Sequence, residues 1–214
     1  MQQFLYLYFL FCCPLLLVGQ PDSLRLTKDF RFTDGVYERP TDWQHNQPTT
    51  TLPDDFDPII SPRTGMLRMT STPNNIANYW GITHRGVPYI RIPADSTGSP
   101  LPTFAPLKVR GKICYFTYET TRTDSIPFAV YNPRYGYAFR RAKVERTQPV
   151  QLERMLHFET LELVPFNRQN LLRWTESDRA IYRTIEWIRE EELSEKLYKA
   201  LLVFDDRHPV YLPQ

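Results

Sequence analysis

The densest run of chemically capable side chains in this 214-residue sequence lies at 131–146, YNPRYGYAFRRAKVER. Tyr131, Tyr135, Tyr137 and Phe139 interleave there with Arg134, Arg140, Arg141, Lys143 and Arg146. Aromatic faces beside fixed positive charge suit sugars, lipid phosphates or single-stranded nucleic acid, since one group stacks while the other neutralises. Tyr135, Tyr137, Phe139, Arg140, Arg141 and Lys143 form the candidate binding set. The competing expectation is a β-hairpin whose aromatics pack inward while its arginines stay solvated.

The remaining reactive groups are scattered. Four histidines, His45, His84, His157 and His208, are far apart in sequence, and nothing local brings imidazoles within bonding distance of one another. Asp54, Asp55 and Asp57 form one acidic cluster and Glu190, Glu191 and Glu192 another. Neighbouring residues on a strand point to opposite faces, so neither cluster makes a facing carboxylate pair. Asp54-Asp55-Phe56-Asp57 lacks the Gly turn and the closing Glu of an EF-hand loop. Nucleophile-elbow, zincin, Walker, dinucleotide and C-x-x-C motifs are all missing. No cofactor or metal is expected. If there is an enzyme here, it is a hydrolase assembled from distant residues, with Asp54, Asp57, His45 and His84 as first suspects.

The N-terminus sets the address. An uncharged apolar run from Phe4 to Val18 is followed by the small Gly19 and then by polar chain. About 15 residues make a helix of about 22 Å, short of a hydrocarbon core of about 30 Å. A signal segment over 1–19, cleaved to leave Gln20, is the expectation; the alternative is a short anchor through residues 4–18. The protein is then exported, periplasmic or extracellular. Export makes nucleic acid an improbable ligand, and leaves an envelope protein, a glycan or a lipid headgroup as partner. Membrane contact is expected only through an uncleaved signal.

Composition agrees. Two of the three cysteines, Cys12 and Cys13, fall in the signal, so Cys114 is alone and no internal disulfide can form. Its setting, Ile113-Cys114-Tyr115-Phe116, reads as a buried, inert thiol. Basic and acidic residues nearly balance, 26 against 24, so no global field attracts polyanions. Nineteen prolines against eight glycines, with 14% aromatics, suit a Pro-punctuated β-rich body.

The elements that must position these groups follow from period and turn chemistry. Residues 30–37 read as a short strand with Asp34-Gly35 as a turn. Between Pro40 and Pro73 no period survives, and an extended surface segment or loop is expected. Residues 76–83 and 87–92 form a hairpin through a three-residue turn, His84-Arg85-Gly86, with Trp80 and Tyr89 as core or cross-strand neighbours and Pro88 on an edge. Residues 107–118 alternate as one strand, and 128–144 as a hairpin through Asn132-Pro133. The run 150–164 fits either strand or helix. Ile181, Ile185 and Ile188, then Leu193, Leu197, Leu201 and Phe204, recur at helical spacing behind the cap residues Thr175–Asp178.

The fold class expected is α+β, an antiparallel sheet or open barrel followed by C-terminal helices. The segments are a signal at 1–19, an extended Pro/Thr-rich stretch at 20–75, a β-rich core at 76–149, and a mixed then helical part at 150–214.

One set of short motifs carries a resemblance. Asp34-Gly35-Val36-Tyr37, Trp43 with Asn46 and Pro48, Trp80-Gly81, Tyr89-Ile90, Gly111 with Cys114-Tyr115-Phe116, and the closing Asp206-Arg207-His208-Pro209 resemble segments of uncharacterised exported, signal-peptide-bearing proteins of Bacteroidota. The similarity covers about residues 29–118 and the tail, and lapses at Glu38-Arg39-Pro40. It implies export and a β-rich body, and it carries no catalytic residues. The functional expectation is a non-enzymatic binding or scaffolding protein of the cell envelope.

Overall fold

The computed structural model describes residues 24–54, 56–69, 79–93, 101–131, 133–136 and 138–212. The signal segment, Asp55, Tyr137 and the Phe139 side chain lie outside the described residues.

The fold is α+β, a strongly curled antiparallel half-barrel with the C-terminal helices after the strands. Its strands are β1 (Leu24–Arg25), β2 (Gly35–Tyr37), β3 (Ile59–Ile60), β4 (Leu67–Arg68), β5 (Gly81–His84), β6 (Val87–Ile92), β7 (Thr103–Val109), β8 (Ile113–Tyr131), β9 (Ala138–His157), β10 (Leu163–Pro165) and β11 (Tyr211–Leu212). The helices are α1 (Pro40–Gln44), α2 (Arg168–Trp174), α3 (Arg179–Glu186) and α4 (Leu193–Arg207). The main sheet runs β10-β9-β8-β7-β6-β5-β2, with β4 added to β7 and β3 to β4; β1 pairs with β11.

Alternation along β8 divides the core. Cys114, Phe116 and Tyr118 face an inner cluster with Trp43, Ile90, Leu107 and Leu156. Ile113 and Tyr115 face an outer cluster with Met155, Leu171, Ile185, Leu201 and Phe204 of the helices. Both faces of this strand are thus covered at its root, one by the curl of the sheet and one by α2–α4. A third cluster, Val36, Leu67, Met69, Ile82, Tyr89 and Phe104, fills the far end of the sheet.

Several expectations are corrected. The β5–β6 turn has two residues, not three: Arg85 and Gly86 both take positive φ, 54° and 75°, and His84 pairs with Val87. That geometry matches the right-handed twist of the strands it joins. Asp34 is no hairpin turn; its carboxylate accepts from Arg85 N at 2.9 Å and Gly86 N at 2.7 Å and so fastens β5–β6 from outside. Strand β6 is interior, and Pro88 lies just beyond its last pair with β7, Tyr89↔Pro106, where no donor is needed. Trp80 and Tyr89 both pack in the core, though not as cross-strand neighbours: Tyr89 pairs with Ile82 and is buried in the third cluster, while Trp80 packs against the inner one.

Residues 107–118 form two strands, because Arg110-Gly111-Lys112 turns the chain. A Cβ on Gly111 would sit 2.4 Å from Cγ of Asp205 on α4, so only glycine lets the helix dock there. Asp205 Oδ1 in turn accepts from Ile113 N at 2.8 Å. The stretch after Pro40 is not merely superficial: α1 buries Trp43, and Leu67 and Met69 enter the third cluster. The ambiguous run 150–164 is strand to His157, followed by a turn into β10.

The helical reading holds in detail. Asp178 caps α3, accepting from Ala180 N and Ile181 N at 3.1 Å each, and Ile181, Ile185, Ile188, Leu197, Leu201 and Phe204 are all buried. Cys114 is fully buried, and burial pushes its thiol up to about 12, which suppresses the thiolate.

Candidate functional site

The expected hairpin at 128–144 is the outer end of something longer. Strands β8 and β9, of 19 and 20 residues, stay paired from Ile113↔His157 to Tyr131↔Ala138. None of the three clusters contains a residue between Glu119 and Gln151. From Thr121↔Pro149 outward the two strands form a ribbon with no third strand paired to it among the described residues. At about 3.3 Å per residue this arm is about 35 Å long.

Local chemistry explains why the ribbon stays regular. Thr123 and Thr147 oppose each other with their hydroxyl oxygens 3.1 Å apart. Arg122 Nε donates to Asp124 Oδ1 at 2.7 Å, and Gln148 Nε2 to Asp124 Oδ2 at 3.2 Å across the strands. The loop closes with Gly136 at φ 70°, which a glycine adopts without strain.

Register assigns the faces. One face carries the pairs Arg122/Gln148, Asp124/Arg146, Ile126/Val144, Phe128/Ala142 and Val130/Arg140, in phase with the inner core face. The other carries Thr123/Thr147, Ser125/Glu145, Pro127/Lys143 and Ala129/Arg141. Two polar levels at 122–124 and 146–148 therefore separate the core from an apolar island nearer the tip. Within the island Ile126, Phe128 and Val144 are 44%, 45% and 49% exposed. A two-stranded ribbon cannot cover both of its own faces.

The sequence-derived set is thus partly gathered and partly re-aimed. Tyr135, Arg140, Arg141 and Lys143 are all exposed on the arm. Arg140 belongs to the apolar face, whereas Arg141 and Lys143 lie on the polar one. Aromatics do not pack inward: Tyr131 and Tyr135 are each 62% exposed, and Arg134 lies over the Tyr135 ring at 5.7 Å. For Tyr131 and Tyr135 the packed-hairpin expectation fails, since no core cluster of the described residues reaches this part of the arm. Sequence reading missed Ile126, Phe128 and Val144, whose signal was there in the alternation of IPFAV opposite AKV.

Charge is concentrated on the same element. Residues 121–149 hold six basic side chains, counting Arg134 at the tip, against Asp124 and Glu145. The arm therefore carries +4 of a chain whose net charge is +2, leaving −2 on everything else. The near-neutral total hides this polarity.

The residues of the hydrolase alternative are not drawn into one site. His45 ends α1 with Nδ1 2.7 Å from Thr41 O, while His84 meets the Phe56 ring edge-on at 5.6 Å. Asp54 and Asp57 are exposed on the loop beside that ring. Among the described residues no three His, Cys, Asp or Glu side chains gather as metal ligands, and no helix is long and apolar enough to cross a membrane.

The motif residues behind the resemblance serve the fold. Asp34 holds the β5–β6 turn, and Asn46 Oδ1 accepts from Thr33 N at 2.8 Å and from the Tyr37 hydroxyl at 3.3 Å. Trp43 fills the inner core, Gly111 admits α4, and Cys114 is buried between them. Compared with protein-family models, with curated proteins and with solved structures, the chain matches none.

Proposed function

We propose that this is an exported, non-enzymatic binding protein of the cell envelope whose binding element is the β8–β9 arm. The observation that supports it best is the apolar island of Ile126, Phe128 and Val144, held in water at the end of a long ribbon. A fold gains nothing from that exposure, and exposed apolar patches rimmed by charge mark interaction sites. The half-barrel and its helices act as the base that fixes the arm's direction. Export rests on the apolar segment 4–18, on the lone inert thiol, and on the resemblance to exported proteins.

Two measurements test this reading. Replacing residues 123–147 by Asn-Gly keeps every cluster residue, so the melting temperature is expected to stay within about 4 °C. Co-sedimentation of the shortened protein with isolated envelope membranes is expected to fall at least tenfold. Equal sedimentation by the intact and shortened proteins rules the arm out. Intact mass of the protein recovered from its exporting host is expected to begin at Gln20, and a mass that includes Met1–Gly19 replaces the soluble exported form with a tethered one.

A further inference from the structure

We propose that the arm engages an anionic lipid surface, lying along the headgroup region on its apolar face. This rests on the arm being the binding element and adds what it binds. It also moves membrane contact from the N-terminal segment, where the sequence suggested it, to a folded element.

Three features of the arm fit a bilayer interface together. Its apolar island spans three successive levels, Ile126/Val144, Phe128/Ala142 and Val130/Arg140, or about five residues per strand. A spanning strand needs about 9–11 residues. The island is therefore too short to cross and broad enough to seat one face of the arm among the headgroups. Tyr131 and Tyr135 stand exposed at the end, and such amphipathic rings favour the headgroup layer. Arg140, at the tip-side rim of the island, meets the phosphates while its stem covers apolar surface, and Arg141 and Lys143 on the reverse face stay within a screening length of them.

Charge selects this occupant over others. An arm of +4 on a body of −2 turns the arm toward an anionic surface and the body away. A second copy would bring two +4 arms together, and a neutral glycan would leave the charges unused. An acidic protein shares the electrostatics but does not account for an island whose breadth suits an interface; it is an outcome of the test.

The test is sedimentation of the full chain, as exported, with vesicles of phosphatidylcholine alone or containing about one third phosphatidylglycerol. Each basic group near such a surface contributes about fivefold in partition. Binding to anionic vesicles is expected to exceed binding to neutral ones by at least about 25-fold, and to weaken as salt shortens the screening length from about 10 Å at 0.1 M to about 3 Å at 1 M. Arg140→Ala with Arg141→Ala should lower anionic binding about 25-fold, while the Lys pair at the same positions retains it. Phe128→Ser should lower it about tenfold, through lost apolar burial. All three sites are outside the core, so unchanged melting curves accompany these losses.

Indifference to lipid charge, or to both sets of substitutions, overturns the proposal. The outcomes also separate it from the reading beneath it. If shortening the arm abolishes envelope binding but the intact protein ignores vesicles, the arm binds an acidic protein and only the lipid inference falls. If the shortened protein binds vesicles as well as the intact one, both fall.

Discussion

Replacing Asp205 by Asn is expected to stabilise the protein at pH 8 by about 2–4 kcal/mol and to leave it unchanged near pH 4. Asp205 sits on α4 against the β7–β8 turn, with Oδ1 taking the Ile113 N–H at 2.8 Å and the Lys112 backbone N–H also turned toward the carboxyl, while buried Oδ2 makes no well-formed hydrogen bond among the described residues. Burial raises its carboxyl from 3.8 to about 7, more than the Ile113 hydrogen bond can offset. The folded chain then holds a proton that the unfolded chain releases. Stability from this group is fully present below about pH 4, declines as pH rises toward 7, and is flat above that. Asn keeps the acceptor for Ile113 N and removes the charge, so the substitution erases the slope. His157, whose imidazole is pushed down from 6.5 by burial, contributes the opposite slope below that ordinary value. It cancels when the two proteins are compared by urea unfolding at each pH. A difference that does not change between pH 4 and 8 refutes the assignment.

The other large effect is structural. Trp43→Ala is expected to cost about 3–5 kcal/mol and to leave the protein unfolded or nearly so at 37 °C. Trp43 is 1% exposed on the five-residue α1, stacked on Phe32 at 5.3 Å and meeting Trp80 at 5.4 Å and Phe158 at 5.0 Å. These rings come from the N-terminal segment, from the residue preceding β5 and from the residue following β9. One side chain therefore joins three distant parts of the chain. Its indole N–H is buried without a partner. Trp43→Phe removes that orphan donor and keeps a ring, so it should cost about a third as much. Chemical denaturation of the two variants checks this. If Ala and Phe destabilise equally, ring packing is not what Trp43 supplies.

These two sites show where local and distant causes divide. The C-terminal helices were legible because their signals are local: Asp178 caps the turn that follows it, and isoleucines at helical spacing mark the buried face. Strand β6 was legible from its period and from the Arg85-Gly86 turn. The break at 110–112 was not, because its cause is Asp205, almost a hundred residues on, pressing where a Cβ at Gly111 would be. Nor was α1, since five residues behind a proline carry no period, and Trp43 is buried by rings from far along the chain.

The arm divides in the same way. By itself the sequence determined that residues 128–144 fold back as a hairpin, and that aromatic and basic side chains alternate there, because pairing and turn chemistry act between near neighbours. Only the tertiary structure decided that the hairpin is the end of a ribbon some 35 Å long whose apolar face joins no core cluster of the described residues. Alternation states which side chains share a face, but burial depends on what other segment arrives to cover it. At Cys114, Phe116 and Tyr118 the curled sheet arrives; Ile126, Phe128 and Val144 belong to no cluster of the described residues and stay exposed.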